Sequence, residues 1–472
     1  MVGGPSFLAT GQYVAQSLYG ITLISPSTAE VAVVPLVAPA GVADLASTVH
    51  SPVRSKAFWF SVIFLIYAID WADRSLISSV LPSIKEEFGL TDAKAGLMSG
   101  FLFVGLGLLA VPTGILVDRF SRKYMIVIMT AAWSIAVWAM GRATSFAGLA
   151  AARLAVGAGE AGYNPAGYAL ISAWYPQKIR GTMVGIFNIA QPLGGGLGAV
   201  LAGLLTVRFG WRSVFGVMAV PGFVLAALMM FAPDYKTVKV DARGVRVVKA
   251  GTRETLGFIL RNRTLLLIFL AQMPIVFYIY AATTWTTTFF MRTFHINVGY
   301  ASSLAAVATL FVSLGPAACG WFSDRLTRRN PVGRITAALV LLIVAIAFHS
   351  LEYVGPRAGL SLMGALIAAS LGQFCIAGHW GTLVAAGLDL VPLPYRGSCQ
   401  SFFPLFQSIS AIWAGVGTGL LSDRLGLAWA LELTLLFGFC SGFLILWFAR
   451  KGYLADYQKQ KAFAALAVEE TF

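Results

Sequence analysis

The chain has 472 residues, of which 58% are hydrophobic and only 11% charged, with 33 Phe and 12 Trp. An average soluble protein carries about 25% charged residues, so a soluble multidomain fold, a disordered chain and a disulfide scaffold are all excluded. The formal net charge of +14 suggests nucleic acid in a soluble protein. In a chain this apolar it is first a topology signal, and no nucleic-acid partner is expected.

Residues 1–53 contain no Lys or Arg and are rich in Pro and Gly. They lack the basic start of a signal peptide and read as a poorly ordered tail. Twelve apolar runs follow, at roughly 57–83, 94–116, 124–143, 146–174, 181–206, 212–232, 264–291, 299–322, 333–353, 359–390, 397–421 and 427–449. Each approaches or exceeds the roughly 20 residues that a spanning helix needs. A spanning β-barrel shows alternating segments of about ten residues instead. The expectation is an all-α polytopic membrane protein with twelve transmembrane helices.

The widest break is a basic linker at 234–263, with Lys236, Lys239, Arg243, Arg246, Lys249, Arg253, Arg261 and Arg263. It divides the chain into two six-helix halves, 54–233 and 264–450, with a C-terminal tail at 451–472. Both tails and the even-numbered loops collect 24 of the 34 Lys and Arg, the odd-numbered loops 8, and the spans 2. That bias puts both termini in the cytoplasm. Cys319, Cys375, Cys399 and Cys440 lie in or beside apolar runs without metal-ligand spacing, so they read as small buried hydrophobes. No metal and no cofactor is expected.

The two halves share a motif. Gly114 opens G-x-x-x-D-R-x-x-[RK]-[RK] with Asp118, Arg119, Arg122 and Lys123, and Gly320 opens a second copy with Asp324, Arg325, Arg328 and Arg329. The copies follow the second and eighth spans, so an internal repeat relates the halves. An Asp at such a helix end can cap a neighbouring helix N-terminus, where the dipole favours an anion. Gly114, Asp118, Arg119, Arg122, Asp324 and Arg325 are therefore read as a conformational latch, beside a plain role as positive anchors.

These paired loops resemble the signature of the major facilitator superfamily, and Arg153-Leu-Ala-Val-Gly157-Ala-Gly159-Glu160 resembles its second motif. The resemblance runs over about residues 57–450. It implies two six-helix bundles with pseudo-two-fold symmetry around a central cavity, and alternating access. Asp73-Arg74, with Arg153 and Glu160, is similar to the organic-anion (anion:cation) symporter branch. The stretch from Gly159 to Tyr168, Gly210-Trp211-Arg212 and Asp423-Arg424 are more similar to bacterial spinster-type transporters. Gln191-Pro192 stands where exchangers of the superfamily usually have Gly-Pro, which weakens an antiport reading.

The informative charges are those assigned to the membrane: Asp70, Asp73, Arg74, Arg153, Glu160 and Glu432. A charged side chain there costs at least a few kcal/mol. Arg74 and Arg153 fall at similar depth on oppositely running helices, and guanidinium forks suit a carboxylate or phosphate. The alternative is that each is tied to a carboxylate in its own bundle, with Asp70 a further partner for that role. Glu160 follows Arg153 by two helical turns on nearly the same face. Glu160 and Asp73 are the candidate proton-coupling carboxyls.

Arg74, Arg153, Tyr163, Asn164, Tyr278, Trp285, Gln373, His379 and Gln407 are the candidate substrate residues, and His379 is also a candidate second proton site. Each of these polar residues taken singly has a packing role as its alternative. The favoured function is proton-coupled symport of a small organic anion by a monomer in a bacterial inner membrane. A spinster-like carrier of an amphipathic lipid, such as a lysophospholipid or sphingoid phosphate, is the alternative. A receptor or membrane enzyme is disfavoured, because no nucleotide loop, HExxH, G-x-S-x-G or large extramembrane domain is present.

Overall fold

The computed structural model describes residues 53–233 and 252–469. The tail expected at 1–53 thus lies outside the described residues except for its last position, as do 234–251 of the linker. The regular structure among the described residues is helical.

In the first half the helices are α1 Val53–Phe88, α2 Asp92–Arg119, α3 Arg122–Arg142, α4 Phe146–Glu160, α5 Tyr163–Trp174, α6 Gln177–Phe209 and α7 Trp211–Met229. A short α8, Thr252–Arg261, falls in the predicted linker. The second half holds α9 Arg263–Phe294, α10 Val298–Leu310, α11 Gly315–Arg329, α12 Gly333–Val354, α13 Leu362–Asp389, α14 Leu393–Leu425 and α15 Leu427–Glu469. Helix α15 continues through most of the stretch expected as a C-terminal tail.

Nine helical stretches among the described residues are long and apolar enough to cross a membrane. The first, fourth and eleventh predicted spans coincide with helices outside that set. Helix α1 carries Asp70, Asp73 and Arg74, the α4–α5 segment breaks at residues 161–162, and α14 contains polar turns at both ends. The apolar exterior fits a bilayer: Phe231, Phe209 and Trp321 are exposed on the surface. Of the cysteines, three are buried as expected, but Cys440 is exposed.

Helices pack by letting backbones approach. Gly157 of α4 lies against the Leu102 backbone of α2, and Gly194 of α6 against Ala68 of α1, with no room for a Cβ. Small residues of this kind drive helix association where lipid offers no hydrophobic gain. In the first half α3 packs on α7 and α4, and α2 on α4. In the second, α9 packs on α15 and α14, and α12 on α13 and α15. The most extensive contacts between the halves among the described residues run α2 along α14 and α6 along α10.

The repeat extends to backbone detail. Helices α6 and α14 both end on a glycine of positive φ, Gly210 (φ 78°, ψ 159°) and Gly426 (φ 81°, ψ 154°). An L side chain resists that conformation, so the same residue turns the chain sharply into the last helix of each half.

Candidate functional site

A cavity of about 400 Å³ lies between the halves, at their middle. Helix α1 contributes Trp71, Arg74, Ser75 and Ser78, α2 Ser99 and Phe103, and α6 Gln191 and Pro192. Across from them, α9 contributes Tyr280, Thr283, Thr284 and Thr287, α12 Glu352, α13 Gln373 and Trp380, and α14 Gln407. The walls are largely apolar, with hydroxyl and amide groups spaced around them, as small-molecule sites commonly are.

The charges of α1 and α4 converge on one wall. Arg74 points its Nε at Glu160 Oε2, 3.1 Å away, and its Nη2 at Asp70 Oδ2, 3.2 Å away. Its guanidinium also stands 5.1 Å from the Trp71 ring. Arg74 keeps 16% of its side-chain surface accessible, whereas both carboxylates are buried. Asp70 is thus an ion-pair partner of Arg74, and Arg74 presents its free edge to the cavity.

Arg153 differs. It is 2% exposed, and its Nη1 and Nη2 donate to the backbone carbonyls of Asp73 (3.2 Å) and Arg74 (3.3 Å). It borders the cavity but its forks are committed to α1, fixing α4 to the stretch that carries Arg74. Asp73 is buried beside it, and its Oδ1 has no hydrogen-bond partner among the described residues. The break after Glu160 leaves that carboxyl at the last turn of α4, with Oε1 also unpartnered among the described residues.

The other expected substrate residues divide. Gln373 and Gln407 line the cavity. Tyr163, Asn164, Tyr278, Trp285 and His379 are not among its lining residues. Tyr163 is buried, donates to the Ile63 carbonyl and packs on Tyr67 and Trp133. The Asn164 Oδ1 is buried without a hydrogen-bond partner among the described residues. Tyr278 shares a 2.9 Å hydrogen bond with Tyr353, the Trp285 indole donates to the Gly415 carbonyl (3.1 Å), and His379 Nδ1 meets the Ala338 carbonyl at 3.0 Å. Tyr163, Tyr278, Trp285 and His379 thus direct their polar atoms to neighbouring helices, whereas Gln373 and Gln407 border the cavity.

For the latch, Gly114, Asp118 and Arg119 lie at the end of α2, and their side chains lie outside the described residues. Arg122 starts α3. In the second copy Asp324 pairs with Arg334 at 3.2 Å, which also reaches Asp389 at 2.9 Å, and Arg325 stands 5.6 Å from the Trp321 ring. That pairing ties α11 to α12 and α13 within one half.

Sequence reading missed the end of the bundle away from the start of α1. There Asp92, at the first turn of α2, takes both nitrogens of the Arg292 fork from α9, at 2.6 and 2.7 Å. It also accepts from Lys85 and from Ser422 of α14 (2.6 Å). In return Asp423 of α14 accepts the backbone N–H of Asp92 (2.8 Å) and of Ala93 (3.0 Å). A carboxylate at a helix N-terminus meets unpaired N–H groups and a favourable dipole. Gly96 and Gly415 touch backbone to backbone just below, and Thr284 donates to Ser99 across the halves at 2.9 Å. The far end is therefore sealed above the cavity. These residues looked like ordinary loop charges in sequence, and only Asp423 stood in a quoted motif.

The model for the Major Facilitator Superfamily matches residues 63–415. The chain belongs to the major facilitator superfamily. It is an integral membrane transporter with that superfamily's all-helical fold, not an enzyme. The hexuronate transporter of Bacillus subtilis (strain 168) is 24% identical over 374 residues, covering 77% of this chain and 87% of the relative. A probable galactarate/D-glucarate transporter, GarP, of Escherichia coli (strain K12) is 27% identical over 413 residues, covering 79% and 89%. The crystal structure of a bacterial homologue of the human lysosomal transporter spinster, inward-facing and unoccupied, superposes with a TM-score of 0.76. It is 21% identical and covers 86% of this chain and 99% of its own, a likeness of fold.

Proposed function

We propose that this transporter carries a small polyhydroxylated carboxylate, of the sugar-acid class, by proton symport and alternating access. The observation that carries this reading is Arg74: a guanidinium at the cavity wall, held by two buried carboxylates and still accessible on one edge. Its open edge suits a carboxylate. The surrounding hydroxyls and amides of Ser75, Ser78, Thr284, Thr287, Gln191, Gln373 and Gln407 suit the hydroxyls of a sugar chain. The hexuronate and galactarate/D-glucarate relatives support the same class.

Charge balance supplies the coupling. Asp70, Asp73 and Glu160 against Arg74 and Arg153 leave the cluster one negative charge in excess when all are ionised. A substrate carboxylate on Arg74 adds a second. In a low-dielectric wall such an excess is costly, so anion and proton favour each other's binding, and the favour is reciprocal. Glu160 and Asp73 are the carboxyls assigned to take the proton, because Arg74 can exchange Glu160 for substrate. Arg153 positions α1 and α4.

The sealed end is read as the external one and the end bearing the termini as cytoplasmic, from the Lys and Arg bias. The 54–233 and 264–450 halves act as the two rocking bundles. The Asp324–Arg334 pair is read as one latch of the cytoplasmic end, and Asp118 as its counterpart. The protein is read as a monomer of a bacterial inner membrane.

A binding screen on purified protein tests the substrate class. Hexuronates and related sugar acids are expected to raise the melting temperature, with neutral sugars inert. Stabilisation by lysophospholipids and not by sugar acids would overturn the reading in favour of the lipid carrier.

A further inference from the structure

The second half holds a buried acid–base cluster that the coupling scheme above does not use. His349 of α12 meets Glu352 one turn later, Nδ1 to Oε2 at 2.7 Å, with both side chains almost wholly buried. From α15, Glu432 enters the same region and accepts from Ser350 at 2.8 Å. Glu352 also lines the cavity, from the second half. Glu352 falls inside the apolar run 333–353, at its end, and is not among the charges singled out from the sequence.

We propose that His349, Glu352 and Glu432 form a second protonation site, which exchanges protons with the cavity through Glu352. The case rests on counting charge. With the imidazole neutral and both carboxylates ionised the cluster carries two negative charges, so it is neutral only with two protons bound. A buried charge needs a partner or a proton. Among the described residues no Lys or Arg pairs with either carboxylate.

The groups packed around the cluster bring no cation. Helix α9 contributes Tyr278, whose ring lies 5.4 Å from the His349 ring and whose hydroxyl bonds Tyr353. Helix α13 sets Gly372 against the imidazole, and its own His379 is turned to the Ala338 carbonyl. Helix α11 meets α12 towards the other end, where Asp324 pairs with Arg334. Arg357, just past α12, stands on the Trp429 ring instead. Arg74 lines the same cavity from α1, and its ion pairs are with Asp70 and Glu160.

Two atoms leave room for proton traffic. The His349 Nε2 and one Glu432 oxygen, Oε2, are buried with no hydrogen-bond partner among the described residues. A proton taken by Glu352 from cavity water converts its carboxylate to the acid. Release returns it to the cavity, while His349 and Glu432 retain theirs. The site thus adds one proton per cycle to the one assigned to the first half. That added proton rests on the symport reading, whereas protonation of the cluster itself does not.

Two measurements test it. Infrared pH titration of the purified full chain reads carboxyl protonation without any substrate. E352Q keeps an acceptor for the His349 N–H, and is expected to lose one titrating carboxyl. E432Q is expected to lose a second carboxyl signal and to shift the step that remains. A titration in both variants that matches the unaltered protein overturns the site. In proteoliposomes with the membrane potential clamped to zero and a pH gradient of one unit, each coupled proton adds about tenfold to the accumulation ratio. With D-glucuronate as probe, E352Q is expected to lower that ratio about tenfold, and an unchanged ratio overturns the coupling role. If the unaltered protein moves no glucuronate, the substrate reading fails while the infrared result still decides the site.

Discussion

Arg74 and Arg153 stand at similar depth in neighbouring helices, and sequence gave them the same alternatives. Their surroundings separate them. Arg74 keeps an accessible edge at the cavity, while Arg153 spends both forks on the carbonyls of Asp73 and Arg74. Arg74→Lys retains the charge but loses the fork. Its substrate Kd is expected to rise at least tenfold, with little change in melting temperature, as measured by titration calorimetry. Arg153→Met should do the reverse. Removing a buried charged donor commonly costs about 3–5 kcal/mol, so the melting temperature should fall while the folded fraction binds substrate normally. Equal losses of affinity in both variants would return Arg153 to the substrate site. Asp70 as a further partner was legible from its spacing to α1's charges, whereas the spacing of Arg153 and Glu160 gave their common face but not that Glu160 meets Arg74 of the neighbouring helix. That Tyr163, Tyr278, Trp285 and His379 are not among the cavity's lining residues was not legible. Periodicity gives the face of a helix but not which neighbour it meets, and these four turn to backbone or ring partners.

Helices α2 and α14 decide how the far end closes. Their contact is a seam of Gly96, Gly415 and Gly419, topped by Asp92 with Arg292, Ser422 and Asp423. Charge-assisted hydrogen bonds contribute about 1.5–3 kcal/mol each. Asp92→Asn is therefore expected to shift the balance about tenfold towards a far-end-open state, and Gly96→Leu to prevent closure outright. Spin labels at the exposed Glu86 and Tyr300 would report the separation, which should widen in both variants. An unchanged distance distribution would mean that the seam does not gate. Most helices were legible as apolar runs, because long unbroken hydrophobicity has few solutions in a membrane. The seam was not. It depends on glycines meeting across the halves, and pairing between distant helices leaves no periodic trace in one chain.

The molecule as a whole carries its repeat in three forms: the paired D-R loops, the matched glycines Gly210 and Gly426, and two buried acidic clusters, one in each half. The first form was plain in sequence, and so was the division into halves by a basic linker. Of the second cluster Glu432 stood out as a membrane charge, but its meeting with His349 and Glu352 of another helix leaves no mark in the sequence. Arg74 lines the cavity with Glu160 buried behind it, and the proposed symport has substrate take Arg74 and the proton take Glu160 as the two halves expose the cavity alternately. Uptake into proteoliposomes under an imposed pH gradient, acid outside, tests this most directly when the unaltered protein and Glu160→Gln are run in parallel. The unaltered protein should concentrate a sugar acid against its gradient. Glu160→Gln should exchange the same substrate across the membrane yet fail to concentrate it. Uphill accumulation preserved in Glu160→Gln would show that the proton does not pass through this carboxyl.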